Sequence, residues 1–489
     1  MSDNFRNDLT SNIVMDPIEL FRELDKCMDN QINSGTFHDS VAMAQRDERN
    51  FQIDQSLTNA MRSFVAQWFP SVLQGSLGSL TGYEEMINES WRASRRDMLK
   101  VINRTSYRSV LTLYLFGQTP IPSGISDEEE MDGISDAICT QTALLQIQRL
   151  RERLRNHQSY GSMSSPGSEI DARLAAQPRL TKAFLDLENR AYWAAVMWDT
   201  SNAMSSNIRS SLTSGLKGAC LEPAWRLARG FLVGSFHARS EDWRKINVET
   251  SDDIASQITS AMSVCSIYTW KTIASVKEAL REGVEENDVL FAWDAFLDAR
   301  NVFQTTIRPL LDIYERRLHF LGQVERLNWY EVVLHYNLGI LLLADALQGA
   351  KRSDLLSQLA EMRLDPEQEC FNVLKFGLDN KFTIHRPLEG TSNVLCVDSR
   401  AKPTRQSFTN SLIAIDPRPQ NVITSVRLIK KSIDHKYRQD EIKHDAYSYL
   451  SITLLEILEQ LPQSSKMVRL GRKHLQESPQ PAAVLVSNI

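Results

Sequence analysis

The sequence predicts an all-α fold: a large multi-helix domain with one irregular excursion near residues 380–420. Three observations carry that reading. Apolar residues recur at steps of three and four through several long segments, the period of a helix with one face in a core. The chain has no internal repeat and no regular alternation of strand and helix patterns. Proline and glycine gather between the periodic segments, where they act as chain breakers.

Taken in order, residues 1–57 read as a polar, loosely attached leader with one short amphipathic piece around Pro17 to Met28. Residues 58–477 read as the domain, and residues 478–489 as a tail that frays. Helical pattern begins near Thr58 and stops at Pro70, and Gly75, Gly78 and Gly82 mark a loop. It resumes from Tyr83 to Leu115, with a break near Asn103. Pro120, Pro122 and Gly124 interrupt the chain. Ser126 and Glu129 then form a capping box, each side chain satisfying a first-turn N–H group. In the helix this opens, Ile134, Ala137, Ile138, Leu144, Leu145, Ile147 and Leu154 form the expected core face. Arg149, Arg151, Arg153 and Arg155 read as its solvated end, suited to the helix dipole.

Residues 156–168 are rich in Ser and Gly and read as a surface loop. Helices resume near Thr181. Ser210 to Lys217 is a second Ser/Gly-rich break, and Pro223 suits the first turn of a helix reaching Phe236. Three long helices are predicted between Asp252 and Gly349, with Trp293, Phe296, Ile307, Leu310 and Leu311 on one stripe. Residues 380–420 lose the period and collect Pro387, Gly390, Pro403, Pro417 and Pro419, with room for short extended pieces. A last helix carries Tyr447, Leu450, Leu454, Ile457 and Leu461.

Composition bounds the function. With 489 residues, 42% hydrophobic and 24% charged, the chain can bury a sizeable core. A net charge of −6 opposes general adhesion to nucleic acid, which needs clustered Lys and Arg. The six cysteines are Cys27, Cys139, Cys220, Cys265, Cys370 and Cys396. Their number equals that of a binuclear zinc cluster, but those thiolates must converge from one short segment and these are scattered. They read as small core hydrophobes in a reducing compartment. The longest apolar run, Leu338 to Leu343, falls short of the roughly 20 residues a membrane span needs. No apolar region of a secretory leader follows Met1-Ser2-Asp3-Asn4.

The densest signal is the stretch from Glu188 to Asp199. Phe184, Leu187, Ala191, Ala195 and Trp198 make one apolar face, and Arg190, Trp193 and Asp199 lie off it. Charges that close to aromatics are expected near a core, and buried charges need partners. Arg190 and Asp199 are therefore read as members of buried ion pairs, with each other or with a neighbour; ligand contact is the alternative. The stretch resembles the signature of the fungal-specific transcription factor regulatory domain, the helical middle homology region that follows a zinc cluster in many fungal regulators. Three further stretches are similar to that family: Tyr107 to Gly117, Trp329 with Leu334 to Asp345, and Leu412 to Pro417. The resemblance spans residues ~85–460.

The resemblance implies a fungal transcriptional regulator or co-regulator that acts in the nucleus, or in nucleus and cytoplasm. Its implied partners are the transcription machinery or another transcription factor. The chain departs from the family in lacking the zinc cluster. No sequence-specific DNA contact, no membrane and no cofactor is expected of it, and zinc only if an upstream cluster is missing from this sequence. The family also implies that the helices of Trp193 and Trp198 and of His335 and Tyr336 share one core, where a pocket would hold a small-molecule effector. A filled core is the alternative. The second functional reading is a helical enzyme or small-molecule carrier that kept the fold without transcriptional activity.

No other motif points to catalysis. The acidic run Asp127 to Asp132 lacks the second metal-binding half that an all-helical terpene synthase needs. The nine histidines make no His-x-x-x-His pair. His335, within an apolar helix, reads as a hydrogen-bonded core histidine. Arg427, Lys430, Lys431, Lys436, Arg438 and Lys443 read as an exposed helix face, with a nuclear import signal as the alternative.

Overall fold

The structure is a computed structural model that describes residues 17–33, 40–70, 80–160, 181–212, 223–244, 251–362, 365–385 and 407–477. Of these, 83% are helical, and two short strands make the one sheet among them. The all-α expectation holds. The chain divides into two compact units, and the first takes in helices from the expected leader.

The first unit is drawn from Met1–Ala66, Asn88–Thr119 and Asp127–Asp199. It contains α1 (Pro17–Asn33), α2 (Ser40–Ala66), the later part of α3 (Leu80–Val101), α4 (Tyr107–Gly117), α5 (Asp127–Met131), α6 (Asp136–Tyr160) and most of α7 (Lys182–Ser206). Its hub is α4, which packs against α1, α2 and α6 and buries Tyr107, Val110, Leu111, Leu113 and Phe116. Extended Ser106 starts it, its hydroxyl accepting the Ser109 N–H at 3.1 Å.

Here the sequence reading of a loose leader is corrected. Phe21 and Leu24 of α1 are buried, as are Ile53, Leu57 and Ala60 of α2. Each helix hides a narrow stripe beneath a polar exterior, so its mean composition masks its packing. Helix also begins at Ser40 rather than near Thr58. Gly82 lies inside α3, while Gly75 and Gly78 fall outside the described residues.

The acidic run and the helix after it are two elements. Gly133, at φ 98°, breaks them apart, a conformation that glycine adopts without steric penalty. Arg95 of α3 holds the break by donating to the carbonyls of Glu130 and Ile134 at 2.7 and 3.1 Å. Arg92 grips the Glu129 carboxylate at 2.7 and 3.0 Å. The core face of α6 is carried by Cys139, Ala143, Leu144, Ile147, Leu150 and Leu154, whereas Ile138 and Leu145 point outward. Arg151 is no solvated helix end: it lies over the Tyr192 ring at 3.7 Å and pairs with buried Glu188 at 3.3 Å. The helix also continues to Tyr160, into the expected loop of 156–168, whose remainder lies outside the described residues.

The second unit is drawn from Gln67–Ile87, Pro120–Ser126 and Thr200–Ile489. In chain order its helices are α8 (Pro223–Gly230, running into a π-helical turn Phe231–Phe236), α9 (Asp252–Glu282), α10 (Glu286–Val302, with a π-helical turn Phe303–Ile307), α11 (Arg308–Arg317), α12 (Gln323–Gly349), α13 (Ser353–Glu361) and α14 (Pro366–Asp379). The irregular excursion follows, with β1 (Lys381–His385) antiparallel to β2 (Ser407–Ser411) and Thr383 opposite Thr409. Then come α15 (Pro419–Arg438), α16 (His444–Gln460) and α17 (Lys466–Glu477).

The centre of this unit is α12, packed against α9 and α14. By length and composition α12 could cross a membrane, but 56% of its most apolar window is buried inside the protein. The close approach to α9 depends on Gly339: a Cβ there would lie 2.5 Å from Trp270 Nε1, which donates to the His335 carbonyl at 2.7 Å. The Gln323 side chain closes the outer edge of β1, accepting the Thr383 N–H and donating to its carbonyl, both at 3.0 Å.

Cys139, Cys265 and Cys370 are buried free thiols, as expected of core hydrophobes, and burial pushes Cys139 and Cys265 up to about 12. Cys220 and Cys396 lie outside the described residues. The basic face of α15 is largely paired rather than free. Lys430 is buried between Asp434 and the Tyr447 hydroxyl, Lys431 meets Asp345 at 2.7 Å, and Lys436 meets Glu367 at 2.7 Å.

Candidate functional site

The six residues singled out from sequence fall in two sets, one per unit. In the first unit, Trp198 is stacked between Tyr114, at 3.7 Å between ring centroids, and Phe21, at 6.0 Å. Trp193 is half-buried and Asp199 is buried. Arg190 is exposed, which corrects its reading as a buried charge. The cause is the helical period. Glu188, Ala191, Ala195 and Asp199 follow one another at steps of three and four on the buried side, and Arg190 falls outside it with Met197. Glu188 is a second buried acid on this helix, and Arg151 meets it.

In the second unit, Tyr336 is buried and His335 belongs to a cluster of ionisable groups. Tyr330, Glu331 and His335 come from α12, with Glu331 and His335 one turn apart on the same face. Asp416 and Arg418 come from the turn between the 3-10 segment Ile413–Ile415 and α15, where Pro417 and Pro419 bracket Arg418. Asp416 is 2% exposed and accepts two hydrogen bonds: the Tyr330 hydroxyl at 2.9 Å and the Arg418 backbone N–H at 2.8 Å. The second is the aspartate-to-i+2 bond that stabilises such turns. Arg418 Nη1 stands 3.5 Å from His335 Nε2, so that nitrogen is the acceptor and the imidazole is neutral. Arg418 makes no ion pair among the described residues.

The electrostatics follow from burial. Burial, and then the Arg418 guanidinium, push His335 well below its usual value. Burial raises the Asp416 carboxyl against the pull of its two donors and of Arg418. Burial and then the neighbouring Asp416 charge push Glu331 up to about 7, with Arg418 opposing. The cluster thus sets an acid that exchanges its proton near neutral pH beside a guanidinium that forms no ion pair among the described residues. Strongly perturbed groups of this kind concentrate at functional sites.

Glu331 gives the site a measurable pH signature. Its folded pKa is raised, so its stabilising contribution is complete below pH ~4.5 and is lost as pH rises through about 7. Glu331→Gln cannot ionise. Its stability relative to the parent should rise by about 1–3 kcal/mol across that window, read from urea midpoints at pH 5 and pH 8. Parallel behaviour of the two proteins would show that Glu331 titrates normally.

Sequence reasoning singled out His335 and Tyr336, met Asp416 only within the Leu412–Pro417 stretch, and passed over Glu331 and Arg418. The available signals were an acid one turn before the histidine in an apolar helix, and a charge between two prolines. Among the described residues, no group of three or more His, Cys, Asp or Glu side chains is placed to hold a metal.

No family model, curated protein or solved structure matches the chain.

Proposed function

We propose that the chain is a fungal transcriptional regulator or co-regulator, acting in the nucleus through its helical units. It reaches DNA through a partner transcription factor or the transcription machinery. One observation carries the reading: stretches that resemble the regulatory domain meet distant parts of their own units. In the first unit, the 107–117 and 188–199 stretches meet where Tyr114 stacks on Trp198. In the second, the 412–417 stretch is held to α12 where Tyr330, beside Trp329 but outside the resembling residues, donates to Asp416. Residues that resemble a family signature are thus also the ones that join distant parts of each unit.

The test is to fuse the chain to a heterologous DNA-binding domain and direct it to a reporter promoter. A several-fold change in reporter output, in either direction, is expected. A gel shift with the chain alone at ~150 mM salt, where non-specific binding is weak, should give no specific complex. An inert fusion, or a nanomolar DNA site found by selection, would each refute a part of the proposal. The second reading, a helical enzyme or small-molecule carrier, is favoured by the raised carboxyl pair Glu331 and Asp416 beside Arg418.

A further inference from the structure

Two buried donor atoms in the second unit, the Tyr336 hydroxyl and Arg300 Nε, find no acceptor among the described residues. The Tyr336 hydroxyl is without a partner in a residue 3% exposed. Arg300 Nε is also buried and unsatisfied, and the guanidinium donates through Nη2 to the Met362 carbonyl at 3.2 Å. No carboxylate pairs with Arg300 among the described residues. Arg300 is near enough for its charge to act on the Tyr336 phenol. Arg300 lies one helical turn before Phe303, and the Phe303 ring stacks on the Tyr336 ring at 3.8 Å and 15°. Phe303 opens the π-helical turn Phe303–Ile307, and π-bulges of this kind are frequent at functional sites.

The surrounding charges do not supply the missing acceptor. Arg308 is occupied by Asp312 at 2.8 Å and Glu315 at 3.7 Å. The Cys265 thiol beside Tyr336 is held neutral by burial. Arg300 and Arg308 both pull the Tyr336 phenol down against the burial that raises it. A water could satisfy the hydroxyl, but the half-buried guanidinium would still have no carboxylate partner among the described residues.

We propose that Arg300 and Tyr336 form a binding site for a small oxyanion, a carboxylate or phosphate whose oxygens accept from the guanidinium and the phenol. The Phe303 ring supplies an apolar wall beside it. The site does not depend on the transcriptional reading, since anion binding can be measured whether or not the chain acts on a promoter.

The experiment is calorimetric titration of the full chain at pH 7 with sodium benzoate and, separately, with inorganic phosphate, at an ionic strength fixed with sodium chloride. Saturable binding of one anion per chain is expected. Tyr336→Phe keeps the ring stack and should weaken binding about tenfold or more, the size of one hydrogen bond to a charged acceptor. Without anion it should melt no lower than the parent, because it deletes an unpaired buried hydroxyl; lost binding is thereby separated from lost fold. Arg300→Gln should weaken binding further, and if it fails to fold, Tyr336→Phe decides alone. Benzoate binding without phosphate binding assigns a carboxylate on an apolar body, and the reverse assigns a phosphate. Failure of both anions to saturate the parent, or equal affinity in Tyr336→Phe, overturns the proposal.

Discussion

Asp25→Ala should destabilise the first unit by about 3–5 kcal/mol, the cost of stranding one member of a buried pair. The Asp25 carboxylate accepts three N–H groups where α1 meets α4. These are the backbone N–H groups of Tyr107 and Arg108, at 2.7 and 3.1 Å, and Arg108 Nε at 2.7 Å. It therefore serves the first-turn N–H groups of α4, which lack helical acceptors, and the guanidinium together. Asp25 and Arg108 are 6% and 7% exposed, so water cannot take over. Arg108 is anchored further, by Asn50 at 2.9 Å and Asp54 at 3.0 Å, so the loss extends into α2. Asp25→Asn keeps the shape and one acceptor oxygen and should lose less. Urea unfolding of both variants would decide, and an Asp25→Ala midpoint matching the parent's would show that α1 is dispensable to the unit.

That clasp also marks the limit of what sequence could reveal. A period of three to four residues reports a buried face only where the face is apolar. The long helices of the second unit, with stripes such as Trp293, Phe296, Ile307 and Leu310, were legible for that reason. In α1 the buried stripe includes an aspartate, and in α2 it lies among Asp47, Glu48, Arg49 and Asp54, so both helices pass for a solvated leader. The partners of charged residues were illegible for another reason. Arg108 finds Asp25 and Arg151 finds Glu188 through tertiary contacts that no local spacing encodes. The signature helix shows both effects. Its apolar side was read correctly, while the burial assigned to Arg190 belongs to Glu188. At the candidate site, His335 stood out as a polar residue in an apolar run. Asp416 and Arg418 looked like turn residues until the fold carried them to α12.

Gly377→Ala should cost about 1–3 kcal/mol as overpacking, with a further loss if the Tyr330–Asp416 bond breaks. Gly377 lies on α14 where it crosses α12. A Cβ there would stand 2.6 and 2.9 Å from Tyr330 Cε2 and Cδ2, and 3.0 Å from Ile413 Cγ1. Neither neighbour can yield easily. Tyr330 is fully buried and its hydroxyl is engaged by Asp416. Ile413 follows Leu412, whose N–H is bound to the carbonyls of Gly377 and Asn380, both at 3.0 Å. A methyl group would therefore push the ring off Asp416 and leave a buried carboxyl with one donor fewer. Tyr330→Phe separates the two costs, since it keeps the ring and deletes the bond. If the ring is displaced, the double variant should lose less than the sum of the singles; if the clash is absorbed elsewhere, the losses should add. Gly230→Ala is the control. That glycine is helical, with nothing within 4 Å of its would-be Cβ, so alanine there should be neutral or stabilise by about 0.5–1 kcal/mol. A Gly377→Ala protein that melts with the parent would mean that α14 and α12 do not approach as closely as their glycine allows.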